Sequence, residues 1–275
     1  MSALLTGINC PVVEIENVST SYGERKILED VSLSVNEGEV MVIMGGSGSG
    51  KSTLLRCLLG LHHPDTGAIR LFGKDITELN GREWHKLRTK IGVSFQGGAL
   101  FNSMSVGDNV CMPLREHTRL DERTIRIMSR MKLELVNMAG FAHLMPGQLS
   151  GGMTKRTALA RAIVMDPKVL FFDEPSAGLD PIVASNLDKL ILQIRDAMGV
   201  TIIVVTHELQ SAFAIADRIT ILDHGQILMT GTIDEVRSSD NQRVRNLLQR
   251  SSEPEAVDRD EYLQRLTEGE NRHEA

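Results

Sequence analysis

The sequence GGSGSGKS, residues 45–52, fits the pattern G-x-x-x-x-G-K-[ST]. Glycines let the backbone wrap closely around phosphate groups, and successive N–H groups at the start of a helix face the negative charge. Lys51 is predicted to reach the β- and γ-phosphates of a nucleotide, and the Ser52 hydroxyl to ligate Mg²⁺. The predicted phosphate-binding residues are Gly45, Gly46, Ser47, Gly48, Ser49, Gly50, Lys51, Ser52 and Thr53. We therefore expect a nucleotide and Mg²⁺ to bind here.

The residues on either side of this loop predict a strand before it and a helix after it. Residues 40–44, VMVIM, form a short apolar run, and KSTLLRCLLGL follows from Lys51. Strands that alternate with helices predict an α/β fold with a largely parallel sheet. Further strand-like runs lie at 12–18, 31–35, 68–73, 91–96, 169–174, 200–207 and 219–225, and helical patterns such as 181–198 separate several of them.

Composition and charge set apart two other parts of the chain. Residues 105–164 are strand-poor and mostly helical in pattern, which predicts a helical insertion. Residues 237–275 are polar, and 251–275 hold eight acids and three bases, so this stretch carries −5 of the net charge of −6. The rest of the chain is nearly neutral, which argues against nucleic acid as a partner. With 41% hydrophobic residues the chain can build a large core, so wholesale disorder is excluded.

Two acidic residues end the hydrophobic run VLFFDE, residues 169–174. The carboxyl end of a strand is where α/β sheets bind ligands. Asp173 is therefore predicted to contact Mg²⁺, and Glu174 to polarise the water that attacks the γ-phosphate. Together with the predicted phosphate-binding loop, this pair predicts an enzyme that hydrolyses the γ-phosphate of a nucleotide.

The sequence LSGGM, residues 149–153, narrows the class. With it, the chain resembles the ATP-binding-cassette family, whose signature is usually written LSGGQ, over roughly residues 12–236. The resemblance implies a nucleotide-binding domain with a P-loop, RecA-like core, a β-subdomain and a helical insertion at about 105–164. Residues 237–275 would then form an acidic C-terminal extension. Met153 stands where glutamine is usual, but it is not among the predicted phosphate ligands.

The resemblance also assigns roles to single residues. Tyr22 matches the aromatic residue that stacks on adenine, and Gln96 matches the glutamine that binds the nucleotide's Mg²⁺. Residues 176–180, SAGLD, match the loop that communicates between paired subunits, and His207 matches the histidine that contacts the γ-phosphate. The catalytic residues implied in this way are Lys51, Glu174 and His207.

Two domains of the ATP-binding-cassette family bind head to tail, so that each ATP lies between one P-loop and the partner's signature. By that resemblance, Ser150, Gly151 and Gly152 act on the ATP held by a second copy of the chain. The N-terminus of the helix that follows them would point at the γ-phosphate. We therefore expect a homodimer that ATP closes and hydrolysis opens.

Chain length separates the classes within this family. Chromosome-maintenance and DNA-repair relatives insert a long coiled coil between the P-loop and the signature, whereas 98 residues separate Lys51 from Ser150 here. Translation-factor relatives carry two cassettes on one chain, and this chain has one. Transporter subunits and soluble assembly ATPases, such as the iron–sulfur scaffold class, remain. The sequence shows neither a signal-peptide pattern nor an apolar run of membrane-spanning length, so a transporter subunit would need a membrane-spanning partner.

Four further stretches resemble the ATP-binding subunits of Mla/MCE-type lipid transporters. That resemblance implies phospholipid as the substrate, moved between the inner and outer membranes so that the outer membrane keeps its lipid asymmetry. The implied partners are an integral-membrane permease, an MCE-domain lipid-binding protein and a small STAS-domain protein, with this chain peripheral on the cytoplasmic face of the inner membrane. Polar amino-acid importers share much of this framework, so that alternative and the iron–sulfur class stay open. The stretches are FQGGALFNSMSVGDNV (95–110), PLREHT (113–118), TKRTALARAI (154–163) and PSAGLDPI (175–182).

Three smaller features complete the predictions. The histidines other than His207 lack the spacing of a metal site, and we interpret them as ordinary surface or loop residues. Three residues of the acidic tail are spaced as a short helical face, which fits docking on a partner as well as it fits a solvated tail. These are Tyr262, Leu263 and Leu266. The residues expected to line the groove that receives the permease are Leu100, Phe101 and Met104.

Overall fold

The structure is a computed structural model that describes residues 11–249, and it divides between Val236 and Arg237 into two units. The strands are β1 (Pro11–Tyr22), β2 (Arg25–Asn36), β3 (Val40–Met44), β4 (Thr66–Leu71), β5 (Lys74–Asp75), β6 (Ile91–Ser94), β7 (Val169–Asp173), β8 (Thr201–Thr206), β9 (Arg218–Asp223) and β10 (Gln226–Gly231). The α-helices are α1 (Lys51–Leu58), α2 (Gly81–Arg88), α3 (Val106–His117), α4 (Glu122–Leu135), α5 (Gly151–Ile163), α6 (Pro181–Met198), α7 (Leu209–Ile215), α8 (Ile233–Arg237) and α9 (Gln242–Gln249).

Six strands form a sheet in the order β10-β9-β3-β8-β7-β6. The five strands from β9 to β6 in that order run parallel, and β10 pairs antiparallel with β9. All residues of β3 and β8 are buried, as expected for parallel strands that are covered on both faces. The α/β fold with a largely parallel sheet, predicted from the alternation of strands and helices, is therefore confirmed.

The other sheet is antiparallel, with the order β2-β1-β4-β5. Buried and exposed residues alternate along most of β2, which is typical of a strand with one face on the core. Apolar side chains of both sheets and of α1 pack in one hydrophobic cluster. Among its members are Ile15, Leu33, Ile43, Leu54 and Phe171. This shared core fixes the antiparallel sheet next to the start of α1.

Helices fill the chain between β6 and β7. The stretch 105–164 contains α3, α4 and α5 and two short 3₁₀ helices, Ala139–Phe141 and Pro146–Gln148. The side chains of Ser105 and Asp121 accept hydrogen bonds from backbone N–H groups at the starts of α3 and α4, at 3.1 Å in both cases. Asn109, on α3, is fully buried and accepts from the backbone N–H of Phe101 at 2.9 Å. The loop before α3 is thereby fastened to the helix.

The structure also bears on the prediction about membrane-spanning segments and on the chain after Val236. None of the helices within residues 11–249 is long and apolar enough to cross a membrane. In the second unit, the described residues form α9, in which Leu247 and Leu248 are half-buried. The acidic stretch 251–275, with Tyr262, Leu263 and Leu266, lies outside the described residues.

Gly60 and Gly23 have the same left-handed backbone but different surroundings, with φ of +62° and +61°. A Cβ on Gly60 would lie 2.0 Å from a ring carbon of the buried Trp84, whereas a Cβ on Gly23 would meet nothing within 4 Å. We predict that Gly60→Ala lowers the free energy of unfolding by about 2–5 kcal/mol, since it adds overpacking to backbone strain. Gly23→Ala carries the strain alone and should cost about 1–2 kcal/mol. Urea denaturation of both variants checks this, and equal losses would contradict it.

Candidate active site

Four neighbouring parallel strands, β3, β8, β7 and β6, end at one edge of the six-stranded sheet. Residues that the sequence analysis predicts to be functional follow each of these strands. The loop 45–52 follows β3, and His207 follows β8. Glu174 follows β7, and Gln96 lies two residues beyond β6. The fold therefore brings residues from distant parts of the sequence into one row, which we call the strand-end row.

The loop 45–52 takes a shape that requires glycine. Gly50, the N-cap of α1, has φ +106°, and a Cβ there would lie 2.7 Å from a methyl carbon of Leu28. A Cβ on Gly45 would lie 2.1 Å from the carbonyl oxygen of Leu222. The Oγ of Ser49 is buried and has no hydrogen-bond partner in the described structure. A tight turn that leads into a helix N-terminus and holds an unsatisfied hydroxyl fits a bound phosphate.

Lys51, which is predicted to bind phosphate, contacts the backbone of the loop 45–52. It is the first residue of α1, is 8% exposed, and donates from Nζ to the carbonyl oxygens of Gly45 and Gly46, both at 2.8 Å. Burial lowers the pKa of Lys51, and the charges of Glu174 and Asp173 oppose that shift. Because an ammonium group has three N–H donors, one remains for a phosphate oxygen.

Two side chains near the loop fit Mg²⁺. Ser52 is exposed in the first turn of α1, and Asp173 is half-buried at the end of β7. Burial raises the pKa of Asp173, as does the charge of Glu174, and nearby Arg56, Lys155 and Lys51 act in the opposite direction. Residues 11–249 contain no group of three or more His, Cys, Asp or Glu that could hold a metal ion. Since Mg²⁺ is usually bound by one or two protein oxygens together with phosphates, this donor set fits an ion bound with the nucleotide.

Glu174 is held in one orientation. Its φ is +47°, a region that non-glycine residues seldom adopt and that is concentrated at functional sites. Its N–H donates to the Val205 carbonyl at 2.8 Å, and its Oε2 accepts from the Thr206 hydroxyl at 3.0 Å. Its Oε1 lies 2.8 Å from Nδ1 of His207, and its side chain is 12% exposed. The carboxylate is therefore fixed before any substrate binds.

His207 and Gln96 both lie in the strand-end row, with different partners. The sequence predicts that His207 contacts the γ-phosphate, and in the structure its ring is bonded to Glu174. Its Nε2 is 3.5 Å from a carboxylate oxygen of Glu208, and its side chain is 56% exposed. Gln96 is exposed, and its backbone carbonyl accepts a hydrogen bond from Lys155. The structure thus adds a positioning contact for Glu174 that the sequence did not predict.

Tyr22 has a neighbour that sequence reasoning missed. Tyr22 ends β1 and is 46% exposed, which leaves ring surface for a base. The ring of His62 lies 4.8 Å from the Tyr22 ring, between centroids, at an interplanar angle of 41°. Nε2 of His62 is 2.7 Å from the hydroxyl of Thr20. His62 lies in a loop, as interpreted from the sequence, and the structure adds a contact between its ring and the predicted adenine-stacking residue.

Replacing His62 should weaken ATP binding through Tyr22. An aromatic pair contributes about 0.5–1.5 kcal/mol, so we predict that His62→Ala lowers ATP affinity about 2- to 10-fold and leaves pyrophosphate affinity unchanged. His63→Ala, the exposed neighbour, is the matched control and should bind ATP as wild type does. Competition with a fluorescent nucleotide measures the ATP and pyrophosphate affinities of His62→Ala and the ATP affinity of His63→Ala. An equal loss of pyrophosphate affinity would show that His62 acts on the fold instead.

The signature residues lie outside the strand-end row. Ser150 caps α5, and its Oγ accepts from the Met153 N–H at 3.3 Å. A Cβ on Gly152 would lie 2.8 Å from a methyl group of Val183, and one on Gly151 would lie 3.5 Å from Leu179. Ser150 and Gly151 are exposed. This end of α5 is therefore a surface beside the loop 176–180, where a second molecule can reach it.

The sequence matches a family model and is similar to several known proteins. Residues 28–177 match the family model described as ABC transporter. The intermembrane phospholipid transport system ATP-binding protein MlaF of Haemophilus influenzae is 41% identical over 246 residues, which cover 90% of this chain and 93% of that protein. The probable ribonucleotide transport ATP-binding protein mkl of Mycobacterium leprae is 42% identical over 236 residues, which cover 86% of this chain and 68% of that protein.

A solved structure shows the same fold. The dimeric post-hydrolysis state of the ATP-binding cassette MJ0796, bound to ADP and Pi, has a TM-score of 0.74 and is 31% identical. The match covers 80% of this chain and 98% of that one. Both the family model and the relatives extend over more than half of the sequence. The chain therefore belongs to the ABC transporter family.

Proposed function

We propose that this chain is the ATP-hydrolysing subunit of a multi-component transporter that moves phospholipids between the inner and outer membranes and so maintains outer-membrane lipid asymmetry. The observation that supports the enzymatic part is the strand-end row, in which Lys51 and Glu174 lie beside the loop 45–52. The match along 93% of the length of MlaF supports the substrate class.

Hydrolysis follows from what each side chain can do. The N–H groups of the loop 45–52 and the ammonium of Lys51 bind the β- and γ-phosphates and stabilise the charge that develops on them. Mg²⁺, when bound, neutralises phosphate charge, and the residues that would hold it are Ser52, Gln96 and Asp173. Glu174 accepts a hydrogen bond from the attacking water and draws off its proton. Thr206 and His207 keep that carboxylate oriented.

A second copy of the chain completes each ATP site in this proposal. Ser150 and Gly151 are exposed at the start of α5, and Gly152 beside them is half-buried. A helix N-terminus with a free face favours a negatively charged ligand. The cassette MJ0796, which is dimeric in its state bound to ADP and Pi, supports a dimer of this chain. ATP would then hold two chains together, and its hydrolysis would release them.

The relatives carry two different substrate names, and coverage favours one. The match spans 93% of MlaF but 68% of mkl, so about a third of mkl has no counterpart in the matched part of this chain. We therefore propose phospholipid rather than ribonucleotide. Neither relative supports the amino-acid importer or the iron–sulfur assembly ATPase.

We also propose the surface that meets the permease. Phe101 is 43% exposed, and Leu100 and Met104 are half-buried beside it. The guanidinium of Arg161 lies 5.8 Å from the centre of the Phe101 ring, and Asn109 binds the backbone of the same loop. An apolar ring on a fixed loop suits a helix of a membrane protein. An MCE-domain protein and a STAS-domain protein would complete the complex, with this chain on the cytoplasmic face of the inner membrane.

Co-purification tests the proposed complex. The full chain with Glu174→Gln, tagged and bound to ATP–Mg²⁺, is isolated from native membranes, and every accompanying protein and lipid is identified. The proposal predicts a permease, an MCE-domain protein and bound phospholipid. A solute permease with a soluble binding protein would contradict the substrate, and soluble iron–sulfur assembly proteins alone would contradict the transporter.

A further inference from the structure

A buried lysine joins the helix of the signature to two parts of the strand-end row. Lys155, on α5, is 8% exposed. Its Nζ donates to the carbonyl oxygen of Gln96 and, at 3.0 Å, to the carbonyl oxygen of Glu174. Those two residues belong to the loops after β6 and β7, so one ammonium group bridges both loops to α5.

The carbonyl oxygen of Glu174 needs hydrogen-bond donors from outside its strand. Because the backbone of Glu174 is left-handed, its carbonyl is turned out of the strand direction and needs donors of its own. It accepts from Lys155 and, at 3.3 Å, from the N–H of Ala177. Burial lowers the pKa of Lys155, and the charges of Asp173 and Glu174 oppose the shift and favour the ammonium form. Loss of the lysine would leave the backbone of the catalytic carboxylate with a single weak contact at this oxygen.

A second cation on the same helix acts on the same loop. Arg161 is six residues after Lys155 and donates to the carbonyl oxygens of Gly98 and Ala99, at 2.8 Å each. Three carbonyls within residues 96–99 are thus bound by side chains of α5. Charged hydrogen bonds are about twice as strong as neutral ones, so α5 and this loop should move as one piece.

The position of Lys155 along α5 puts it between the signature residues and the loops that hold Glu174 and Gln96. It lies five residues after Ser150, which at 1.5 Å per residue is about 7–8 Å along the helix axis. In the head-to-tail dimer of the proposed function, Ser150 acts on the ATP of the partner, while Glu174 and Gln96 act on the ATP of their own chain. We propose that Lys155 is a positioning residue that couples the two ATP sites of the dimer. Docking of α5 on one ATP is passed through its ammonium to Glu174 and Gln96 at the other.

Steady-state ATPase kinetics of the full-length chain test this inference, which rests on the proposed function. A small misplacement of a reacting group costs up to about 100-fold in rate, so Lys155→Met should lower kcat about 10- to 100-fold. Its KM for ATP should stay within about threefold of wild type, because the P-loop is untouched. The Hill coefficient for ATP should fall from above 1 in the wild type towards 1, since coupling between the sites is lost. Lys155→Arg, which keeps a cation, should retain at least about a third of the wild-type kcat.

Arg156→Met is the matched control. Arg156 is the next residue on α5, and its side chain donates to a backbone carbonyl, that of Val136, at 3.1 Å within the helical region. It should retain wild-type kcat and Hill coefficient. Lys155→Gln is measured in parallel, so the test holds if Lys155→Met fails to fold.

The outcomes separate this inference from the proposed function. A wild-type chain without ATPase activity would overturn both. An active wild type, with Lys155→Met and Lys155→Gln both retaining its kcat and Hill coefficient, would overturn the inference alone. So would equal losses in Lys155→Met and Arg156→Met, because that result would show a general effect on the fold of α5.

Discussion

Glu174→Gln is expected to lower kcat for ATP hydrolysis about 100-fold or more, because the amide cannot take a proton from the attacking water. The substitution keeps the size of the side chain and an oxygen that can accept from the Thr206 hydroxyl. The loop 45–52 and Lys51, which we propose bind the phosphates, are unchanged, so ATP affinity should stay within about threefold of wild type. Phosphate release and fluorescent-nucleotide binding measure the two quantities separately.

The same variant should accumulate as an ATP-bound dimer, since hydrolysis is the step that releases the two chains. Size-exclusion chromatography with ATP–Mg²⁺ is expected to show twice the monomer mass for Glu174→Gln and less of that species for the wild type. Glu208→Gln, an acidic residue that follows His207 directly, is the control and should keep most of the wild-type activity. Unchanged hydrolysis in Glu174→Gln would contradict the role of this carboxylate.

Lys51→Ala is expected to abolish most nucleotide binding. A hydrogen bond to a charged group contributes about 1.5–3 kcal/mol, so loss of the one N–H that remains for a phosphate oxygen should weaken ATP binding about 10- to 150-fold. Its bonds to the carbonyls of Gly45 and Gly46 would also be lost, which loosens the loop. Isothermal titration with ATP–Mg²⁺ measures the affinity.

The control for this variant is Lys86→Ala, an exposed lysine on α2. It removes the same charge at a site away from the strand-end row and should bind ATP as the wild type does. Retained ATP affinity in Lys51→Ala would contradict the assignment of the loop 45–52 as the phosphate site. Loss of affinity in both variants would point to long-range charge instead.

The strand-end row could be predicted because its residues follow short buried strands. VMVIM before the loop 45–52 and VLFF before Asp173 are apolar runs of strand length, and the predicted site residues directly follow each run. Parallel strands place such residues at one edge of the sheet. In the structure β8 pairs with β3 on one side and with β7 on the other, so the residues that follow these strands are neighbours.

Contacts that depend on tertiary packing could not be predicted in this way. Lys155 is 59 residues from Gln96, and His62 is 42 residues from Thr20. Nothing in the spacing of LSGGMTKR distinguishes a buried lysine from the exposed cations that are common on helices. His62 and His63 are adjacent in sequence, and only the contacts between β1 and the loop after α1 make His62 a neighbour of Tyr22.

The periodicity of the sequence could not predict that the strands divide into two sheets. Buried and exposed residues alternate along β2, and the apolar run of β3 is buried throughout. Both patterns predict a strand, but neither predicts which sheet the strand joins. The pairing of β1 with β4, across the P-loop and α1, depends on a core that both sheets share. A resemblance to the family predicted a β-subdomain, and the residues alone did not.

ATP-driven movement of phospholipid by the isolated complex is the decisive test of the proposed transport activity. The complex that co-purifies with the tagged wild-type chain is reconstituted into liposomes, and transfer of a fluorescent phospholipid to acceptor vesicles is followed with ATP–Mg²⁺. Glu174→Gln complexes and a labelled ribonucleotide serve as controls. We expect lipid transfer that requires ATP and the wild-type Glu174, with no ribonucleotide movement. Uptake of the ribonucleotide, or lipid transfer at the same rate with Glu174→Gln, would contradict it.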